Sequence, residues 1–194
     1  LTKQQFKGLT VITNPNTSSP GMAFLAATVS MFGSNGWELY WRALKANDVK
    51  ISGSWEDAYF TDFSGSTGKG AYPIVLSYSS SPAFEVRDSG DFAGESQTAS
   101  VLDGCFRQTE YVGVLNHAKN PDAAKKLALF LLNDPFQSTI ADTMYMYPIL
   151  SSVELPKAWQ EFAPSAKNTF GDQLDISANR LAWLGKWSEI IDVN

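Results

Sequence analysis

Short apolar segments alternate with longer segments of helical periodicity along this chain. Apolar and β-branched side chains cluster in short segments, which predicts strands at 9–13, 49–52, 73–78, 98–102 and 109–115. Elsewhere apolar side chains recur every three or four positions, which predicts helices at 22–32, 37–44, 121–131 and from residue 175 onwards. Because strands alternate with helices, the sequence predicts an α/β fold with a mostly parallel sheet flanked by helices.

Two polar segments interrupt this pattern where a predicted strand gives way to a helix. The first elbow, residues 14–21, contains Ser18 and Ser19, and either can cap the helix that Pro20 opens. The second elbow, residues 79–84, repeats the serines and the proline. Free amide N–H groups at such a helix start attract a phosphate or a carboxylate, although water is the simpler occupant.

Three predicted strands end in residues that suit a ligand site. Ser18 follows the first strand, Trp55 follows the second, and Tyr78 ends the third. Ligands of parallel α/β sheets bind outside the carboxyl ends of the strands. The sequence therefore predicts a site that combines hydroxyl groups and aromatic rings at this edge.

Charge and composition narrow the range of partners. The net charge is −5 and no basic cluster is present, so a nucleic-acid partner is not predicted. No apolar run is long enough to span a bilayer. Six tryptophans are present; Trp37 and Trp41 fall at helical spacing with Leu44, which favours core packing for these rings.

The chain offers little for catalysis. Cys105 and His117 are the candidates for a nucleophilic pair, but a lone histidine in a polar loop is more often simply solvated. No spacing of histidine, cysteine and carboxylates predicts a metal site, and no carboxylate pair suits general acid–base chemistry. The sequence therefore predicts a protein that is not an enzyme and carries no cofactor.

Several blocks of sequence occur in the order found in one known family. They are Thr17-Ser18-Ser19-Pro20-Gly21, Ser54-Trp55-Glu56-Asp57-Ala58-Tyr59, the run from Val75 to Ala83, Phe136-Gln137, and Met146-Tyr147-Pro148 followed by Leu155-Pro156. Together these blocks, spread over nearly the whole chain, resemble the thiamine-binding substrate-binding proteins of bacterial ABC importers. The resemblance implies a type II periplasmic-binding-protein fold.

Proteins of that family are clamps of two lobes that close on a solute. Measured against them, this sequence begins at the second lobe, which implies a fragment. The resemblance assigns residues 1–110 to the second ligand-binding lobe, 111–150 to a segment crossing towards the absent first lobe, and 151–194 to C-terminal helices packing on the second lobe.

The resemblance also implies ligand contacts. Ser18 and Tyr78 are expected at the phosphate or hydroxyethyl end of the ligand, and Trp55 is expected to supply a ring and an N–H donor. The remaining expected contacts are Ser19, Phe84 and Tyr145. Phe84 stands where the family usually has tyrosine, and Tyr145 where it usually has tryptophan.

The implied partners are a thiamine-like solute and an ABC permease in the membrane. The implied location is extracytoplasmic, either periplasmic or lipid-anchored at the cell surface. Apolar surface that faces the first lobe in the family makes a second copy of the chain a further candidate partner.

Three alternatives remain open from the sequence. The first is a binder of iron, polyamine or phosphonate with the same fold. The second is a small-molecule enzyme that uses Cys105 and His117. The third is a fragment that serves only in folding or assembly.

Overall fold

The computed structural model describes residues 1–66, 69–88, 96–171 and 173–191. The chain divides into two compact units. Unit 1 comprises Leu1–Tyr78, Val101–Gln108 and Ser165–Asn194, and unit 2 comprises Ser79–Ser100 and Thr109–Pro164. The lobe boundaries at residues 110 and 150, which the resemblance implies, stay a prediction.

Unit 1 is built on a parallel sheet of three strands. The strands are β1 (Thr10–Thr13), β2 (Lys50–Ser52) and β3 (Ile74–Val75), in the order β2-β1-β3. Val11 of the central strand pairs with both neighbours, Lys50 on one side and Val75 on the other. All four β1 residues are buried, as the apolar pattern requires. The predicted α/β fold with a parallel sheet is confirmed.

Two predicted strands are wrong. Residues 98–102 and 109–115 form no strand in the described structure, and most of their apolar side chains are exposed. Val101 is 84% exposed and Tyr111 is 91% exposed. A β-type composition produces a strand only where a neighbouring strand accepts its backbone hydrogen bonds, and neither segment lies in the sheet.

The two helices predicted at 22–32 and 37–44 run together as α1 (Ser19–Ala46) with a kink at Gly33. Gly33 has φ 70° and ψ 178°, a conformation that glycine adopts without steric cost. Trp37, Trp41 and Leu44 are buried, which confirms their role in core packing.

The core of unit 1 lies between α1, the sheet and α6 (Ile176–Ile191). Trp41 meets Trp187 of α6 edge to face, with ring centroids 5.7 Å apart. Its indole N–H donates to the Thr28 hydroxyl at 2.9 Å, so this buried polar group is satisfied. Leu181, which the helical spacing places on the buried side, is instead 83% exposed.

Unit 2 is helical. Its helices are α2 (Ser81–Asp88), α3 (Pro121–Leu131), α4 (Asp134–Met144) and α5 (Lys157–Phe162). A small core forms around Trp159, packed with Ala83, Ala141 and Ala163. Helix α3 contributes no buried residue, and Leu127 and Phe130 are about half exposed or more. Within the described residues, no helix has the length and hydrophobicity needed to cross a membrane.

Candidate functional site

Parallel pairing brings three loops of unit 1 to the carboxyl edge of its sheet. The first elbow follows β1, residues 53–55 follow β2, and residues 76–78 follow β3. The Thr17 hydroxyl donates to the Gly53 carbonyl oxygen at 2.6 Å, which joins the first two loops. Open parallel sheets bind ligands at this edge.

The first elbow starts α1 with Ser18 at the N-cap position and Pro20 in the first turn. The Ser18 side chain does not cap the helix amides. Its hydroxyl donates instead to the Thr13 hydroxyl at 3.0 Å. The capping role expected from the sequence is therefore wrong for Ser18, because a buried hydroxyl at the end of β1 is the acceptor within reach.

A cleft of about 430 Å³ lies at the start of α1. Ser18 and Ser19 line it, and so do Phe106, Gln108 and Arg180. Among the described residues that line the cleft, Arg180 carries the only charge. A guanidinium beside helix N–H groups favours an anionic ligand group.

Three residues that line the cleft were not predicted from the sequence, namely Phe106, Gln108 and Arg180. Arg180 comes from α6 and reaches the cleft only because α6 packs on α1. Phe106 is held there by a backbone hydrogen bond of 2.8 Å from Phe170 N–H to the Cys105 carbonyl oxygen.

Trp55 lies at the centre of an aromatic cluster at the same edge of the sheet. Its ring stacks on Tyr59 with centroids 4.9 Å apart and planes 19° apart. Phe60 and Tyr78 contact the ring from other sides, each with centroids 5.5 Å away. Tyr78 is 46% exposed, so the cluster offers an aromatic surface to solvent.

The indole N–H of Trp55 is already engaged. It donates to the Ser77 hydroxyl at 3.0 Å, and this bond fixes the ring relative to the end of β3. The role of the ring in binding stays a prediction. The N–H, expected as a ligand donor, is bonded to Ser77 in this structure, and its role towards a ligand also stays a prediction.

A π-helix at Asp57–Asp62 carries two rings of this cluster, and its last residue is bonded to β2. Lys50 donates to the Asp62 carboxylate at 2.7 Å, and the Ser52 hydroxyl donates to its other oxygen. Burial by itself raises the pKa of Asp62, but the hydrogen bonds from Lys50 and Ser52 outweigh it and lower the pKa. Asp62 is therefore ionised and ties the π-helix to the sheet.

Unit 2 contains the other two predicted contacts, Phe84 and Tyr145. Their rings meet edge to face with centroids 5.0 Å apart. Tyr145 ends α4 in the left-handed conformation, with φ 55° and ψ 36°. For a residue other than glycine this conformation costs on the order of 1–3 kcal/mol, and it persists only where the surroundings enforce it.

The surroundings of Cys105 do not favour a nucleophile. Burial, with a smaller contribution from Asp103, raises the pKa of the Cys105 thiol, so the thiolate is disfavoured. His117 is exposed. Within the described residues, no group of three or more histidine, cysteine, aspartate or glutamate side chains could hold a metal ion.

Comparison with known proteins assigns the family. Residues 1–173 match the family model described as bacterial extracellular solute-binding protein. The chain belongs to this family.

Individual relatives include thiamine-binding periplasmic proteins. The one from Salmonella typhimurium is 27% identical over 191 residues, which are 98% of this chain and 56% of the relative. The one from Escherichia coli is 26% identical over 92% of this chain and 52% of the relative. The one from Brucella melitensis is 28% identical over 91% and 51%. The chain thus spans about half the length of these relatives.

A solved structure shares the fold. A periplasmic thiamin binding protein superposes with a TM-score of 0.68 at 21% identity, covering 95% of this chain and 55% of the other. This match agrees with the type II periplasmic-binding-protein fold that the resemblance implies.

Proposed function

We propose that this chain forms the second lobe of a two-lobed solute-binding protein whose ligand is thiamine or one of its phosphates. The observation that carries the proposal is the match of nearly the whole chain to proteins named thiamine-binding periplasmic proteins. The protein would bind its ligand by closure, catalyse no reaction, and deliver the ligand to an ABC permease. Its location would be extracytoplasmic, either periplasmic or lipid-anchored.

Two features of unit 1 suit the two ends of such a ligand. The aromatic cluster around Trp55 offers ring faces, and ring faces attract a flat cation such as a thiazolium. The cleft at the start of α1 offers Ser18, Ser19 and the Arg180 guanidinium, and such groups suit a phosphate. We propose that Tyr78, beside Trp55, also contacts the ligand.

Phe84 and Tyr145 are the proposed contacts from unit 2. Their rings meet edge to face, and Tyr145 is 39% exposed, so part of its side chain is available to a ligand. The replacement of the family's usual tyrosine by Phe84 retains an aromatic ring at that position and removes a hydroxyl.

The exposed apolar side chains of α3 support a further proposal for the isolated chain. Leu127, Leu129 and Phe130 are 59%, 69% and 49% exposed. Water contact with these side chains is unfavourable, so we propose that the isolated chain self-associates through α3. Sedimentation of a monomer at high concentration would contradict this.

A thermal-shift titration with thiamine, thiamine monophosphate and thiamine diphosphate tests the function. It is carried out on this chain and on the full-length product of its gene. A ligand at one hundred times its dissociation constant adds about 2.7 kcal/mol to the free energy of unfolding. We expect this shift in the full-length protein; the absence of any shift with all three ligands would overturn the assignment to thiamine.

A further inference from the structure

Tyr145 is an unusual residue in its backbone conformation. Among the described residues other than glycine, Asp48 and Tyr145 alone have positive φ. Aspartate tolerates the left-handed conformation because its short side chain bonds locally. An aromatic side chain has no such compensation, so something else in unit 2 must hold Tyr145 in this conformation.

Ser80 supplies that restraint. Its hydroxyl donates to the Tyr145 carbonyl oxygen at 3.1 Å. Ser80 is 4% exposed, so little water reaches this hydroxyl as an alternative partner. The Phe84 ring, one helical turn along α2 from Ser80, meets the edge of the Tyr145 ring. Backbone and ring of Tyr145 are therefore both held by the start of α2.

The neighbouring Tyr147 shows what this restraint changes. In an extended segment, residues two positions apart point to the same side. Tyr147 is bonded inward, because its hydroxyl donates to the Ala163 carbonyl oxygen at 2.8 Å and lies 3.1 Å from the Ser79 hydroxyl. The left-handed conformation of Tyr145 interrupts the two-residue alternation of side chains that an extended segment would have. Tyr145 is 39% exposed, whereas the Tyr147 ring packs on Trp159.

We propose that Ser80 is a positioning residue, which holds the Tyr145 backbone in the left-handed conformation so that the ring is presented before the ligand arrives. This inference rests on the proposed function, since it takes the solute of that site as the partner of the ring. Preorganisation of this kind raises affinity because less freedom is lost on binding. Serine at position 80 then acts through Tyr145 and does not touch the ligand.

The test uses the full-length product of the gene, with thiamine and its phosphates as the probes in calorimetry. We expect Ser80→Ala to weaken binding about fivefold, and Tyr145→Gly to weaken it about tenfold. In the Tyr145→Gly background, Ser80→Ala should have no further effect on affinity, because the ring it positions is gone. A full additional fivefold loss in that background would overturn the inference.

Ser79→Ala is the matched control. It removes the neighbouring hydroxyl, whose partner is Tyr147, and should leave affinity within twofold of the wild type. A loss of affinity as large as that of Ser80→Ala would show a general structural effect of this segment and overturn the positioning role.

A stability comparison tests the backbone restraint without any ligand. Tyr145→Gly and Tyr145→Ala both remove the ring, but only glycine adopts the left-handed conformation freely. We expect the glycine variant to melt about 2–6 °C higher than the alanine variant. Equal melting temperatures would overturn the inference. Wild-type protein that binds no form of thiamine would overturn the proposed function as well, whereas binding that Tyr145→Gly leaves unchanged would overturn only the inference.

Discussion

The two elbows have nearly the same sequence and use their serines differently. The first contains Ser18-Ser19-Pro20-Gly21, and the second contains Ser80-Ser81-Pro82-Ala83. In the first elbow the hydroxyls of Thr17 and Ser18 bond to neighbouring strand ends, and the helix start borders a cleft. In the second elbow the hydroxyls of Ser79 and Ser80 bond to the segment that follows α4.

The difference teaches that a serine-rich helix start is not by itself a binding site. The hydroxyls of Ser79 and Ser80 are used to hold two tyrosines. The first elbow borders open space because α6 brings Arg180 to it and leaves the cleft between them. What lies opposite the elbow decides its role, and that depends on remote parts of the chain.

Gly21→Ala should have the largest effect, and it tests the closeness of the first elbow to β1. A methyl group at Gly21 would lie 2.5 Å from the Thr13 carbonyl oxygen and 2.8 Å from the Asn14 carbonyl carbon. Because β1 is the buried centre of the sheet, we expect a loss of about 2–4 kcal/mol in the free energy of unfolding, measured by chemical denaturation.

The equivalent change in the second elbow provides the control. Ala83→Gly removes one buried methyl group from the start of α2 and should cost about 1–2 kcal/mol. Losses of equal size in the two elbows would contradict the tighter approach of Gly21 to its strand.

Trp55→Ala should have the next largest effect, on affinity in the full-length protein. It removes the ring at the centre of the aromatic cluster, and we expect a loss of about 1–2 kcal/mol in the free energy of thiamine binding by calorimetry. Tyr111→Ala is the control, since Tyr111 is 91% exposed and lies outside the proposed site. An unchanged affinity for Trp55→Ala would remove this residue from the site.

Asp62→Asn tests the support of the aromatic cluster. Together, the hydrogen bonds to this carboxylate contribute about 1 kcal/mol or somewhat more to the free energy of unfolding. The pKa of Asp62 is lowered on folding. The carboxylate therefore contributes fully to the free energy of unfolding above its pKa in the unfolded chain, near 3.9, and this contribution is lost as pH falls through its pKa in the folded protein. We expect wild-type stability to fall more steeply than that of Asp62→Asn below about pH 4.

Glu189→Gln is the control for that experiment. The pair of Glu189 with Lys186 is exposed, and such pairs contribute little. Parallel stability profiles for wild type and Asp62→Asn across the acid range would show that the carboxylate does not stabilise the fold in its charged form.

Arg180→Ala should have the smallest effect, and it separates the ligand forms. We expect affinity for thiamine phosphates to fall about threefold to fivefold while affinity for thiamine itself is unchanged, because only a phosphate meets the guanidinium. Lys186→Ala, on the same helix but outside the cleft, is the control. Equal losses for all three ligands would contradict an anion-binding role for the cleft.

The sequence predicted those parts of the fold that depend on near neighbours in the chain. The spacing of Trp37, Trp41 and Leu44 was sufficient to predict a buried helix face, and the apolar runs were sufficient to predict β1, β2 and β3. The segments 98–102 and 109–115 failed because strand formation depends on a partner strand, which their composition does not reveal.

The site was predictable to a lesser degree. Trp55 and Tyr78 come together because their strands run parallel to β1 on its two sides; the sequence pattern implied the parallel direction but not the strand order. Arg180 could not be predicted, because its place depends on how α6 packs on α1. The direction of the Ser18 hydroxyl and the left-handed turn at Tyr145 depend on side-chain competition that no periodicity records.

The contact between Trp41 and Trp187 also has a consequence for synthesis. These rings join α1 to α6, so the part of the apolar face of α1 that α6 covers stays exposed until α6 has left the ribosome. Contacts between such distant parts of a sequence form slowly. Completion of this core therefore depends on α6, and chaperones have an interval in which to bind the uncovered face of α1.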